Sequence, residues 1–243
     1  MAQAAVVETE TTQVLIVGGG PCGLMLANEL GRRGIAAILV DQKASTAFSP
    51  QANATQARTM EHFRRLGIAK EIRRLGLPDG YPIDIAYFTR YTTHELGRVN
   101  LPSARKARQT VKKLGGSWSA SELPHRVSQK FVEAVLFRHA ADLPSVTLNY
   151  SWQLTAFNDT GTGVDACLRS TQGNAERCIQ AEYLVGVDGP RSFVRQQLGI
   201  HCPSSDDLRR FRRFRNGGSG PSGLKFMLPA ADAASGGWRV SCA

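Results

Sequence analysis

Three glycines, Gly18, Gly20 and Gly23, stand at G-x-G-x-x-G spacing, and an acid, Asp41, follows roughly 20 residues on. Together they are suited to holding a phosphorylated nucleotide. Gly18 admits a tight turn, Gly20 lets the backbone approach a pyrophosphate, and Gly23 lets a helix lie close on a strand. Asp41 is placed where a carboxylate accepts hydrogen bonds from ribose hydroxyls. Pro21, Cys22 and Gln42, inside or beside these two turns, complete the candidate cofactor-binding set of this unit. Cys22 serves there as a small residue that fits, with thiol redox chemistry as the other use of its type.

These residues need a strand, a turn, a helix and a second strand to position them. Val14 to Val17 is a short β-branched apolar run, as in a strand buried on both faces of a parallel sheet. A helix is predicted over Pro21 to Arg33, with its N–H groups and positive dipole end toward the phosphates and Gly34 ending it. Ile35 to Val40 is the second strand. An ordinary βαβ unit with a glycine-rich turn would carry many of the same residues; the acid at the end of the second strand is what points to a ligand.

Farther on, helical patterns run from Gln56 to Leu66 and from Ile68 to Leu75. Two strands are predicted within Ile83 to Leu101, and Ser103 to Leu123 reads as basic and irregular. Ser128 to Ala140 is a helix with Ser128 as N-cap and Phe131, Val132, Val135 and Leu136 on one face. Val146 to Tyr150 then completes a second βαβ element. Trp152 to Asn158, Val164 to Ser170 and Cys178 to Val187, separated by DTGTG and TQGNAE, form a β meander that returns a strand to the main sheet. Asp188-Gly189 and a short helix over Ser192 to Leu198 follow.

At 243 residues and 42% hydrophobic content the chain can bury a substantial core. Its N-terminus is polar and acidic, unlike a secretory signal, and no apolar run approaches a membrane span, so a cytoplasmic location is expected. Cys22, Cys167, Cys178, Cys202 and Cys242 show no C-x-x-C spacing, which argues against a zinc site or a disulfide framework. The net charge of +10 is concentrated in part in RRFRRFR, Arg209 to Arg215. That run could grip nucleic-acid phosphates, but no nucleic-acid-binding fold accompanies it, and a solvated charged segment is the expectation. A second basic stretch, Arg105 to Lys113, is placed in a loop that either guides an anionic cofactor or is simply solvated.

With GGGPCG and VGVDGPRSFVRQQLGI both in view, the chain from Gln13 to Ile200 resembles the FAD-dependent aromatic-ring monooxygenases of the para-hydroxybenzoate hydroxylase type, above all the phenol and hydroxyphenylpropionate hydroxylases. The resemblance implies an α/β fold: a Rossmann-like FAD-binding domain with a parallel central sheet, inserted antiparallel strands and a β meander. It implies that Asp188 and Gly189 lie near the flavin and the NAD(P)H path. It also implies that Gln129, in a Q-x-x-x-E-x-x-L pattern with Glu133 and Leu136, meets the flavin ribityl chain, and that Arg126 reaches an FAD phosphate. By themselves Gln129 and Arg126 are ordinary surface residue types, and Asp188 an ordinary turn carboxylate. The implied activity is reduction of FAD by NAD(P)H, addition of O₂ at flavin C4a to give a hydroperoxide, and transfer of one oxygen to a small phenolic substrate.

The sequence also departs from that pattern. Gln51 stands where the family often has an arginine that helps hold the flavin, with Arg58 nearby as a partial substitute or a plain helix-surface residue. There is no Gly-Asp pair anywhere in the chain. Residues 1–12 are read as a flexible N-terminus, 13–200 as the FAD-binding domain with an insertion at 83–123 that begins the substrate region, and 201–243 as an irregular basic tail. The expectation is therefore a monooxygenase chain cut short, or, in another class, a catalytically silent nucleotide-binding fragment or interaction protein. A flavin-dependent halogenase is disfavoured because Trp118, Trp152 and Trp238 form no W-x-W-x-I-P motif. No metal site is expected. His62, His94, His125, His139 and His201 show no pairing pattern, so no catalytic acid or base can be named.

Overall fold

A computed structural model describes residues 9–49, 52–90, 94–111 and 120–200. Gln51, the arginine-rich run and the basic tail lie outside the described residues. In chain order the elements are β1 (Thr9–Val17), α1 (Pro21–Gly31), β2 (Ala37–Asp41), β3 (Ala54–Thr55), α2 (Ala57–Arg65), α3 (Ala69–Arg74), β4 (Ile85–Phe88) and β5 (Glu95–Val99). They continue as α4 (Ala104–Val111), β6 (His125–Arg126), α5 (Gln129–Ala141), β7 (Val146–Tyr150), β8 (Trp152–Asp159), β9 (Val164–Ser170), β10 (Glu176–Gly186) and α6 (Phe193–Gln197).

The strands assemble into a six-stranded sheet in the order β7-β2-β1-β10-β9-β8. β7, β2, β1 and β10 pair in parallel, and β9 and β8 continue antiparallel. The α/β fold with a parallel sheet and a meander is therefore present. β4 and β5 form a separate antiparallel pair inside the 83–123 segment, and β3 pairs with β6.

Strands β7 and β8 occupy opposite edges of this order, yet one residue, Ser151, joins them. The sheet must curl until its two edges meet. Ser151 makes the corner at φ +64°, a conformation uncommon for a residue with a side chain. Its N–H donates to the Lys43 carbonyl, its carbonyl accepts from the Thr171 N–H, and its hydroxyl accepts from Gln172. The corner is thus tied to the chain that leaves β2.

Alternation along β1 and β2 sends side chains to both faces, as the apolar run predicts. Val14, Ile16, Ala37 and Leu39 pack with Leu24, Met60, Phe63, Ile72, Val135 and Leu136 of the helical layer. Leu15, Val17, Ile38 and Val40 pack with Leu154, Ala166, Leu168 and Ile179 of the meander and with Val194. Burial of each such side chain contributes about 1.5–3 kcal/mol.

Several expectations need correction. β1 starts at Thr9, so it takes in residues 9–12, which composition assigns to a flexible terminus. Helix α1 ends at Gly31 rather than Arg33, and Gly34, at φ +71°, makes the turn beyond it. The basic stretch read as a loop contains α4. Its Ala, Arg, Lys and Gln are good helix formers, but its apolar side is made mainly of alanine among arginines and a lysine, too weak a stripe to reveal it. Arg108 of α4 makes a two-pronged ion pair with Asp79. Phe131 is 41% exposed rather than on the buried face of α5. Ser128 occupies the N-cap position with extended backbone, but its buried hydroxyl caps nothing.

His125 anchors β6. Its ring is buried, and the missing side chain of Gly76 leaves it room. Burial, followed by the nearby Arg73 guanidinium, holds the ring's pKa below its ordinary 6.5. Above about pH 6.5 the ring is neutral whether the chain is folded or not. Below it, the unfolded ring takes up a proton that the folded ring resists, so stability falls. The melting temperature is expected to drop between about pH 6.5 and pH 5 more steeply in the parent than in His125→Gln, measured by thermal circular dichroism. Parallel curves would show that His125 carries none of this dependence.

Candidate functional site

The glycine turn lies at the C-terminal ends of the parallel strands, where β1 sends the chain to β2 on one side and meets β10 on the other. That is the switch point at which α/β sheets open a crevice. Gly18, at φ +120°, donates to the Val40 carbonyl at 2.8 Å, and a Cβ there would collide with the Val187 carbonyl and approach the Asp188 nitrogen at 2.9 Å. The Asp188 turn thus lies directly against the glycine turn. A Cβ on Gly23 would strike the Gly18 carbonyl, which explains the need for glycine in the first turn of α1. Gly20 differs from both. It is the N-cap of α1, and none of the described residues stands within 4 Å of where its Cβ would be. The only space that a side chain at Gly20 would fill is open, beside the unpaired N–H groups of a helix N-terminus whose first turn holds no acid.

Asp41 and Tyr150 are register partners at the ends of β2 and β7, and they hold Gly19 from two sides. Asp41 Oδ2 accepts from the Gly19 N–H at 2.6 Å, and Asp41 Oδ1 from the Lys43 N–H at 2.8 Å. The Tyr150 hydroxyl donates to the Gly19 carbonyl at 2.9 Å. Burial first, then the charges of Asp41 and Glu133, push the Tyr150 pKa far above its ordinary value, so the phenol remains a donor.

At the start of α5, the Gln129 side chain donates to Glu133 Oε1 at 2.7 Å, and Glu133 Oε2 accepts from the Ala47 N–H at 2.7 Å. Glu133 is buried, so this carboxylate ties α5 to the 43–49 loop. The backbone of Gln129 donates to the Ala52 carbonyl, and Arg126 on β6 donates to Asn53 Oδ1 at 3.0 Å. Asp188 Oδ2 accepts from the N–H groups of Phe193 and Val194 at 2.7 and 3.2 Å and so starts α6. Asp188 Oδ1 is buried with no partner among the described residues. Gly189, at φ +84°, completes the turn.

The structure therefore brings Gly18, Gly20, Pro21, Gly23, Asp41, Asp188 and Gly189 to one edge of the sheet. Gln129 is instead joined through Glu133 to the 43–49 loop that follows β2. Cys22 is exposed on the first turn of α1. The Gln42 side chain is exposed, and its carbonyl accepts from the Thr171 hydroxyl. Arg126 is engaged with Asn53, and Arg58 pairs with Glu61 on the surface of α2. The sequence alone does not single out Tyr150 or the corner at Ser151, and it shows Glu133 only as part of a pattern. The signal that could reveal its role is an acid among the buried Val132, Val135 and Leu136. Among the described residues no group of three or more His, Cys, Asp or Glu could hold a metal, and no helix is long and apolar enough to cross a membrane.

Residues 11–215 match the model of an FAD binding domain family, and the chain belongs to that family. Its relatives include aklavinone 12-hydroxylase DnrF of Streptomyces peucetius subsp. caesius, 37% identical over 82% of this chain and 40% of the relative. Another is 2,4-dichlorophenol 6-monooxygenase of Delftia acidovorans, 30% identical over 82% of this chain and 32% of the relative. Among solved structures, the rebeccamycin biosynthetic enzyme RebC with reduced flavin superposes with a TM-score of 0.67 at 31% identity, over 79% of this chain and 35% of that one. The flavin-dependent monooxygenase PieE, in complex with FAD and substrate, does so at 0.69 and 26% identity, over 78% of this chain and 32% of that one. The chain thus spans 40% or less of the length of each of these proteins.

Asp41→Ala would leave the buried Gly19 N–H without an acceptor. The expected loss is on the order of 1–3 kcal/mol, read from the urea midpoint, with Asp41→Asn recovering part of it. An unchanged midpoint in the alanine variant would show that the Asp41 to Gly19 bond does not hold the turn.

Proposed function

We propose that this chain binds FAD at the glycine edge of the sheet and forms the flavin-binding part of an NAD(P)H-dependent monooxygenase that hydroxylates small aromatic substrates with O₂. The observation that carries the reading is the direct contact between two sequence-distant motifs, the Gly18 turn and the Asp188 turn. The residues present fit the cofactor: an open cradle at Gly20, helix N–H groups beside it, and a buried Asp188 oxygen without a donor among the described residues.

On this reading the backbone of Gly18, Gly20, Pro21, Cys22 and Gly23 holds the pyrophosphate, with the dipole of α1 offsetting its charge. Asp41 has a free lone pair on each oxygen beyond the two backbone bonds it accepts, so it can receive a ribose hydroxyl while holding Gly19. Gln42 and Arg126 border the nucleotide. Gln129, oriented by Glu133, and Asp188 with Gly189 face the flavin end. Bound flavin supplies the redox and oxygen chemistry; the protein positions it and limits water.

A second reading is FAD binding without oxygen transfer by this chain. It is favoured by the lack of any Gly-Asp pair in the sequence.

Gly20→Val is the clean probe because its side chain would enter open space rather than protein. The variant is expected to keep the parent's circular dichroism and to lose at least tenfold in FAD affinity by fluorescence titration, about 1.4 kcal/mol or more. Equal affinity would remove the site. NAD(P)H oxidation with excess FAD and a panel of phenols, scored for hydroxylated product and peroxide separately, then distinguishes the two readings.

A further inference from the structure

The spacing of the cysteines along the chain announces no pairing, but strand register creates one. Cys167 on β9 and Cys178 on β10 are direct antiparallel partners, with their sulfurs 4.0 Å apart. Opposed residues of antiparallel strands share a face, with Cα atoms about 4.5–5.5 Å apart, inside the span of about 4.4–6.8 Å that a disulfide bridges. Ala166, Leu168, Ile179 and Ala181 are buried on the inner side, so both thiols lie on the outer one. Cys167 is exposed there and Cys178 partly so. The next rung on the same face is the Arg169 to Glu176 ion pair, at 3.0 Å, which helps hold the register.

We propose that Cys167 and Cys178 are an oxidisable dithiol that closes into a reversible cross-strand disulfide, with hydrogen peroxide as the oxidant. One sulfur, as thiolate, attacks a peroxide oxygen. The O–O bond breaks, a sulfenic acid forms, and the departing hydroxide takes a proton to leave as water. The second sulfur displaces the sulfenic oxygen, which leaves as a second water, and the S–S bond forms. Two thiols give up two electrons in all, and one peroxide accepts them. Burial and the hydrogen bond with Cys178, then the charges of Cys178, Glu176 and Asp165, hold the Cys167 thiol above its ordinary pKa, so the attacking thiolate is scarce near neutral pH and closure quickens as the pH rises. The bond would fasten β9 to the first half of β10, the strand that runs beside β1 to the Asp188 turn.

Arg169 and Arg177 lie between the two cysteines, so trypsin places them on separate peptides unless a disulfide joins them. The test treats the 243-residue protein with hydrogen peroxide, blocks remaining thiols with iodoacetamide, digests without reduction and reads the peptides by mass spectrometry. The expected result is a Cys167 to Cys178 linked pair, two hydrogens lighter than the sum of its peptides and released by dithiothreitol. The same pair is expected in a Cys22→Ser/Cys202→Ser/Cys242→Ser variant, which retains only these two thiols. Cys167→Ser should remove it and leave Cys178 as a thiol or sulfenic acid. The proposal is overturned if Cys167 and Cys178 remain separately alkylated at peroxide doses that oxidise the exposed Cys22. It is equally overturned if they are found linked only to other cysteines or between chains.

Discussion

The hydrogen bond from the Gly19 N–H to Asp41 is the constraint on which the site depends. A turn built of Gly18, Gly19 and Gly20 has no side chains with which to pack, and its conformational entropy is high. It is held instead through its peptide groups. The ends of β2 and β7 supply Asp41 and Tyr150 at one register level, an acceptor for the Gly19 N–H and a donor for its carbonyl. With Gly19 fixed, Gly18 can sit against Val187 and α1 can start at Gly20 with its N-terminus facing open space.

The electrostatics follow from that choice. Asp41 and Glu133 are both buried, and burying a carboxylate is costly unless hydrogen bonds replace water. The protein uses neutral donors for both: backbone N–H groups for Asp41, and an N–H group with the Gln129 amide for Glu133. Burial, and after it these two negative charges, push the Tyr150 pKa up, so its hydroxyl stays a donor to the Gly19 carbonyl. An anionic ligand beside this pair would meet repulsion. The N-terminus of α1, free of acids in its first turn, is the element that can offset it.

Much of this was legible in the sequence because each glycine of the turn and the acid after β2 answers a local backbone need. The apolar runs of β1 and β2, the meander and the helix starting near Ser128 were likewise set by pattern. What stayed hidden depends on contacts between distant segments. A two-residue pairing such as β3 with β6 has no periodicity to read. Helix α4 has an apolar side made mainly of alanine, so propensity more than pattern supports it. Ser128 has an N-cap's residue type and position, yet its hydroxyl makes no cap, a choice made by tertiary surroundings. The Cys167 and Cys178 pairing is a consequence of register, and register between β9 and β10 is not written in the spacing of two cysteines.

The curl of the sheet explains how the two motifs meet. With a single residue at the β7 to β8 corner, the meander has no slack in which to wander. It must fold across the second face, bury Leu154, Leu168 and Ile179 against Ile38 and Val40, and deliver β10 parallel to β1. The position of Asp188 is therefore decided by strand register upstream as much as by its own turn. A slip of one residue between β9 and β10 would exchange their buried and exposed faces, so the apolar packing of the meander penalises such a slip. The accuracy with which Val187 and Asp188 arrive beside Gly18 is thus enforced by hydrophobic burial well away from the crevice, and the site inherits its precision from the core.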